Sequence, residues 1–241
     1  MIAKVTQTEL DNHKIVSQEE WLEASAKLVA LEKEWTRRRD DLSKLRRELP
    51  WVRVEKEYVF NSPAGRETLA DLFDGRSQLI VYHFMYGPES DNGCPGCSFI
   101  SDHIDCANLH LPHNDTTLVA VSRAPYDTFK AYKERMGWEF KWVSSNGSDF
   151  NYDYGVSFKR DDLDKGDVLY NFKMQKLRSE DQPGVSAFYK NPSGEIFHTY
   201  SSYDRGLDIL LGTNSYLDLV AKGRNEGSTM DWVQRHDEYD N

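Results

Sequence analysis

Leu79-Ile80-Val81-Tyr82-His83-Phe84, and after a short loop Cys94-Pro95-Gly96-Cys97, are the residues that decide the fold. The first run is short, apolar and unbroken, the pattern of a strand buried on both faces. The residues after the second run, Phe99, Ile100 and Ile104, carry helical spacing. A Cys-x-x-C that follows a buried strand and opens a helix predicts dithiol chemistry. Two thiols so spaced can close a small disulfide loop, and the unpaired N–H groups of a helix start favour a thiolate. Cys94, the N-terminal and more exposed member, is the expected attacking thiol. Cys97 is the expected resolving one, and Pro95 and Gly96 between them set the loop geometry and so the redox poise.

Outward from this centre the elements alternate. Residues 117–122 predict a second buried strand, 125–136 a helix stopped by Gly137, and 140–143 a short strand. Residues 185–189 and 195–200 flank the turn Asn191-Pro192-Ser193-Gly194 and predict a hairpin. Residues 207–219 predict a helix. Before the central strand, 51–60 predict a short strand or hairpin, and 69–75 a turn of helix closed by Gly75. Strand, helix, strand, helix, hairpin, helix is the thioredoxin arrangement, a βαβ half joined to a ββα half. The expected fold is therefore α/β, a central mixed sheet with flanking helices.

The N-terminal region reads differently. Residues 1–16 are an expected loose lead-in. Ser17 and Glu20 form a capping box, with Val16 and Trp21 placed as a hydrophobic staple. Trp21, Leu28, Trp35, Leu42 and Leu49 recur every seven residues, Ala24, Leu31 and Leu45 fill the second seam position, and Arg38 interrupts it. One long helix over 17–49 is expected, ended by Pro50. Its seam serves either a homodimer or partner contact, or packing along its own domain. The expected division is an N-terminal extension over 1–50, the main domain over 51–225, and a polar C-terminal tail with aromatic anchors over 226–241.

Composition bounds the partners. The 241 residues are 39% hydrophobic and 12% aromatic, enough for a packed core. Thirty basic against 40 acidic side chains leave a formal charge of −10, which opposes nucleic-acid binding. No run approaches the roughly 20 apolar residues of a membrane span. The start, Met1-Ile2-Ala3-Lys4-Val5-Thr6-Gln7, lacks the apolar core of a signal peptide. With 3 cysteines, too few for a disulfide scaffold, the expected compartment is the cytoplasm.

A metal centre is the rival to dithiol chemistry. Soft thiolates and imidazoles suit copper or zinc. His83 ends the central strand and His198 lies on the second hairpin strand, so Cys94, Cys97, His198 and possibly His83 form a candidate ligand set. Cys106 stands apart, because nine residues turn a helix by about 180° from Cys97. His103, His110 and His113 are left out with it. Arg123, at the carboxyl end of the second buried strand, is the expected support of the thiolate or holder of a substrate anion.

Several runs point to a family. They are Arg46-Arg47-Glu48-Leu49-Pro50-Trp51-Val52, Tyr82-His83-Phe84-Met85-Tyr86-Gly87-Pro88, Gly93-Cys94-Pro95-Gly96-Cys97-Ser98, Val121-Ser122-Arg123-Ala124-Pro125, Arg135-Met136-Gly137-Trp138, Trp142-Val143-Ser144-Ser145 and His198-Thr199-Tyr200-Ser201. From about 15 to 225 the sequence resembles the thioredoxin-like proteins classed as domain of unknown function 899. The resemblance implies a thioredoxin-superfamily fold nearest the peroxiredoxin-like branch. It places His83, Cys94, Cys97, Arg123 and His198 in family-typical runs. The functional expectation is a thiol–disulfide oxidoreductase or thiol peroxidase-like enzyme with a small-molecule or thiol substrate and no cofactor. The alternatives are the copper or zinc protein, and an interaction module in which the long helix matters and the cysteines do not.

Overall fold

The computed structural model describes residues 13–240, so most of the expected lead-in lies outside the described residues. The chain divides into two compact units, one running through Leu49 and the other spanning Pro50–Tyr239. Among the described residues the first carries one helix, α1 (Gln18–Arg47). Ser17 caps it, accepting the Glu20 N–H while the Glu20 carboxylate accepts the Ser17 N–H, so the capping box forms as its sequence requires. Basic residues close its last turn, matching the helix dipole. The seam residues Trp21, Leu28, Trp35 and Leu42 are exposed. No helix among the described residues is long and apolar enough to cross a membrane.

The second unit is built on strands. In chain order they are β1 (Val52–Arg53), β2 (Val59–Ser62), β3 (Gly65–Thr68), β4 (Gln78–His83), β5 (Thr116–Ser122), β6 (Trp142–Ser144), β7 (Val168–Tyr170), β8 (Lys173–Gln175), β9 (Gly184–Lys190) and β10 (Ile196–Tyr203). Among the described residues, eight of them form one sheet in the order β1-β10-β9-β4-β5-β6-β2-β3, and β7 and β8 pair separately. β4, β5 and β6 are parallel, whereas β9 runs antiparallel to both β4 and β10. The crossover from β4 to β5 carries α2 (Pro95–Asn108), and that from β5 to β6 carries α3 (Tyr126–Arg135). This is the thioredoxin-like topology, with β4 at its centre.

Two cores lie on the two faces of the sheet. On one, α2 and α3 press Phe99, Ile100, Ile104, Phe129 and Tyr132 onto Tyr82, Phe84, Ala120 and Trp142. On the other, Leu79, Val81, Val119, Val121 and Phe188 are covered by Phe60, Leu72, Phe73 and Phe150. The assignment follows from period-two alternation along β4 and β5. Trp142 is the hub of the first core. It stacks on Phe129 at 4.5 Å, tilts against Phe84 at 4.5 Å, and donates its indole N–H to Ser122 Oγ at 3.0 Å.

Three segments differ from their sequence reading. The 207–219 helix is a 3-10 segment (Asp204–Leu210) followed by a short helix (Gly212–Leu217), because Leu211 leaves helical geometry at φ −101°, ψ 83° to bury itself in the first core. The segment at Asp149-Phe150-Asn151, to which the sequence reading assigns no element, opens a one-turn helix, Phe150–Asp153, which seats Phe150 in the second core. The polar segment beyond Glu226 belongs to the same compact unit as the sheet, and its Met230, Trp232 and Val233 pack on the first core. Trp142→Ala is expected to lower unfolding free energy by about 3–5 kcal/mol, read by denaturant titration. Trp142→Phe, which keeps most of the ring and removes the indole N–H, is expected to cost clearly less.

Candidate dithiol site

Cys94 is the N-cap of α2, with extended backbone (φ −60°, ψ 131°), and Pro95 holds the first helical position, where its missing N–H loses nothing. The preceding segment grips this turn on both sides. The Cys94 N–H donates to the Met85 carbonyl at 3.4 Å, and the Met85 N–H donates to the Cys97 sulfur at 3.4 Å. Gly93 is required where it stands, since a Cβ there would lie 2.7 Å from the Tyr132 ring and 2.8 Å from that of Phe84.

The two thiols are electrostatically unlike. Cys94 is partly exposed and Cys97 is 2% exposed. The Cys94 thiol is lowered to about 6, first because the Cys97 thiol faces its sulfur; burial opposes this. The N–H groups of Cys97 and Gly96 and the charge of Arg235 add to the lowering. Those N–H groups turn toward the sulfur without forming a full cap bond. Burial drives the Cys97 thiol the opposite way, well above an ordinary thiol, and the anionic neighbour Cys94 raises it further. The buried Tyr82 hydroxyl faces Cys97 and finds no other partner among the described residues.

Arg235 had no signal in the sequence. It comes from the C-terminal segment and donates to the Gly93 carbonyl at 2.7 and 3.2 Å and to the Tyr132 hydroxyl at 3.1 Å. Tyr132 in turn meets Ser98 Oγ at 2.7 Å. Around Arg235 the segment is fastened by Arg135 to Asp237 and Glu238, by His236 to Asp102 at 2.7 Å, and by Trp232 edge-on to Phe99. The same segment lays Met230 beside Gly96 and Cys94. Only its aromatic residues, read as anchors, hinted that it packs.

Cys94 and Cys97 open into a cleft of about 200 Å³. Met85, Ile100, Pro183, Leu207 and Met230 give it apolar walls, and Asp204, Arg205 and Asp208 a charged rim.

Two expectations fail here. Arg123 does not support the thiolate. Its guanidinium forms a two-pronged pair with Asp181 at 2.7 and 2.9 Å and also donates to Tyr152 and Glu180. It stands just past the end of β5, where the carboxylates of Glu180 and Asp181, from the segment that leads into β9, capture it. The metal set of Cys94, Cys97, His198 and His83 is not assembled either. Tyr82 and His83 are neighbours on β4 and point to opposite faces. Tyr82 meets Cys97, whereas His83 stacks near Phe150 and Tyr154, and His198 lies against Tyr154 and Phe188. The sheet stands between the sulfurs and the imidazoles, so the residues do not fit the ion. Among the described residues, no group of three or more His, Cys, Asp or Glu side chains is placed to hold one. Cys106 is exposed and away from Cys97, as helical geometry requires.

Residues 10–239 match the family model described as bacterial protein of unknown function, DUF899. The chain belongs to that family. No curated protein matches the chain. Among solved structures, peroxidoxin BcpB from Mycobacterium tuberculosis is similar at 12% identity and TM-score 0.43, over 66% of this chain and 91% of that one. A peroxiredoxin Q mutant of Xanthomonas campestris is similar at 13% identity and TM-score 0.43, over 66% and 90%. The mitochondrial 2-cys peroxiredoxin from Plasmodium falciparum is similar at 12% identity and TM-score 0.38, over 73% and 95%. Identity this low speaks at most to the fold, so the chemistry of this DUF899 chain rests on its own residues.

Arg235→Met is expected to raise the Cys94 pKa above its value of about 6, read from the pH dependence of thiolate absorbance. Arg123→Ala is expected to leave that titration in place. It should instead destabilise the fold by about 3 kcal/mol or more, because two carboxylates lose a nearly buried partner.

Proposed function

We propose that this chain is a thiol–disulfide oxidoreductase in which Cys94 attacks and Cys97 resolves. The supporting observation is the asymmetry of the pair, one accessible thiol held near pH 6 beside a buried one held high. At neutral pH Cys94 is largely thiolate and Cys97 remains a thiol. The Cys94 thiolate attacks one sulfur of a substrate disulfide, the S–S bond breaks, and one thiolate departs, leaving a mixed disulfide. The Cys97 thiol then gives up its proton and attacks Cys94 Sγ. That step forms the Cys94–Cys97 disulfide and releases the second substrate thiolate, so two electrons pass from the dithiol to the substrate. Loss of the Cys94 charge in the first step removes one reason for the high Cys97 pKa, so the resolving thiol becomes easier to ionise when it is needed.

The apolar walls and charged rim of the cleft fit a small or chain-end disulfide with aliphatic substituents. The Arg235 guanidinium, whose charge acts on Cys94, is already engaged with Gly93, Tyr132 and Glu238, which supports disulfide exchange over reduction of a peroxide, where a free donor must stabilise the leaving oxygen. The dithiol reading needs no cofactor, and a reducing compartment such as the cytoplasm would keep the pair ready. The exposed seam of α1 is where a second copy would pair, heptad against heptad.

With a small symmetric disulfide as substrate, the rate of the first step is expected to rise with pH through about 6 and then level off. Cys97→Ser is expected to stop at the mixed disulfide, visible as an added half-substrate mass on Cys94, and Cys94→Ser to be inactive. A mixed disulfide forming instead on Cys97 would overturn the assignment.

A further inference from the structure

On the sheet face turned away from the cysteines, four polar side chains stand in a row across β4, β9 and β10. His83 Nε2 lies 2.9 Å from Ser186 Oγ, Ser186 Oγ lies 2.9 Å from Ser201 Oγ, and Ser201 Oγ lies 2.7 Å from His198 Nε2. His198 Nε2 is also 3.1 Å from the Tyr200 carbonyl. A carbonyl only accepts, so Nε2 must carry hydrogen. The arrangement that uses every hydroxyl hydrogen then runs from His198 to Ser201, to Ser186, to His83 Nε2. The β-bulge between His198 and Tyr200 is what brings that carbonyl within reach of its neighbour's ring.

The consequence falls on the other nitrogen. Both hydrogen bonds of His198 are made by Nε2, so Nδ1 holds a bare lone pair. Burial lowers the imidazole pKa further, keeping the ring neutral. The half-buried ring lines a cavity of about 450 Å³, a volume typical of small-molecule sites. Tyr58, Tyr154, Tyr203 and Phe172 give the cavity aromatic walls. Phe172 is 76% exposed and sits at φ +60° in the turn between β7 and β8. A bulky residue in the left-handed region is strained, and this one recovers little through burial. Its ring stands instead at the cavity mouth.

The charges select against anions. Arg53 is paired with Glu195, and Lys56 is held between Asp149 at 2.8 Å and Asp153 at 2.6 Å. The cavity therefore offers a neutral nitrogen acceptor and two carboxylates, Glu55 and Asp153, with its cations already engaged. We propose that this cavity is a second small-molecule site, separate from the dithiol, that takes an aromatic hydroxyl compound whose O–H donates to His198 Nδ1 and whose ring lies against the aromatic walls. His83, Ser186 and Ser201 act as positioning residues that fix which imidazole nitrogen is free.

Phenol, anisole and benzoate are the probes, titrated into the reduced full chain and followed by amide chemical shifts. Phenol is expected to give saturable shifts at cavity residues. Anisole, the same ring without a donor, is expected to bind about tenfold more weakly, and benzoate no better than anisole. His198→Phe is expected to bring phenol down to the level of anisole. Phe172→Ser, at an exposed turn where folding is not at risk, is expected to weaken phenol several-fold, and Cys94→Ser to leave it unchanged. Absence of saturable phenol shifts at the cavity, or equal affinity for phenol and anisole, overturns the proposal. Neither result bears on the dithiol reading, which is tested on substrate disulfides.

Discussion

The alternation of side chains along β4 is the constraint on which the chemistry of the domain depends. Tyr82 and His83 are one residue apart, and that single step sends one to the helical face and the other to the opposite core. Because β4 is flanked by β5 and β9, it cannot slip register without breaking two ladders at once. Cys94 and Cys97 are tied to it through the backbone of Met85, one residue beyond Phe84, so the dithiol inherits the register of the strand. The two polar centres of the molecule, a sulfur pair and an imidazole-hydroxyl row, are thus kept apart by a layer of backbone hydrogen bonds.

The same geometry makes two chemically identical side chains behave differently. Cys94 has helix N–H groups and a guanidinium around it and some access to solvent. Cys97 lies one turn deeper, among Tyr82 and apolar side chains, where a charge is poorly solvated. Neither residue alone would define a reaction. Together they make a pair in which one thiol is held low and the other high, each shifted in part by its neighbour.

Much of the fold was legible because its signals are local. The apolar run before the cysteines, the helix start at Pro95, and the Asn191-Pro192-Ser193-Gly194 turn each act over a few residues. The capping box at Ser17 and Glu20 is of the same kind. The cysteine pair could be singled out for the same reason. What was misread depends on partners distant in sequence. Arg123 stands at a strand end that looks functional, and nothing nearby announces that Asp181 will claim it. Arg235 reaches the site from the far end of the chain, and polar composition disguised a segment that Trp232 and Met230 hold against the core. The separation of His83 from the sulfurs was in principle readable, since counting faces from Tyr82 places it on the other side.

The C-terminal segment has one more consequence, for the order in which the protein is made. Everything it closes over, from Gly93 to Tyr132, leaves the ribosome before Arg235 does. Until that segment docks, Cys94 lacks both the guanidinium beside it and the Met230 side chain over it. The larger contributions to the low Cys94 pKa come from Cys97 and Gly96, made within three residues of it, and Arg235 adds the last of them once the segment has docked. The C-terminal segment is thus the last part of the thiol's surroundings to be made and the part that closes over it.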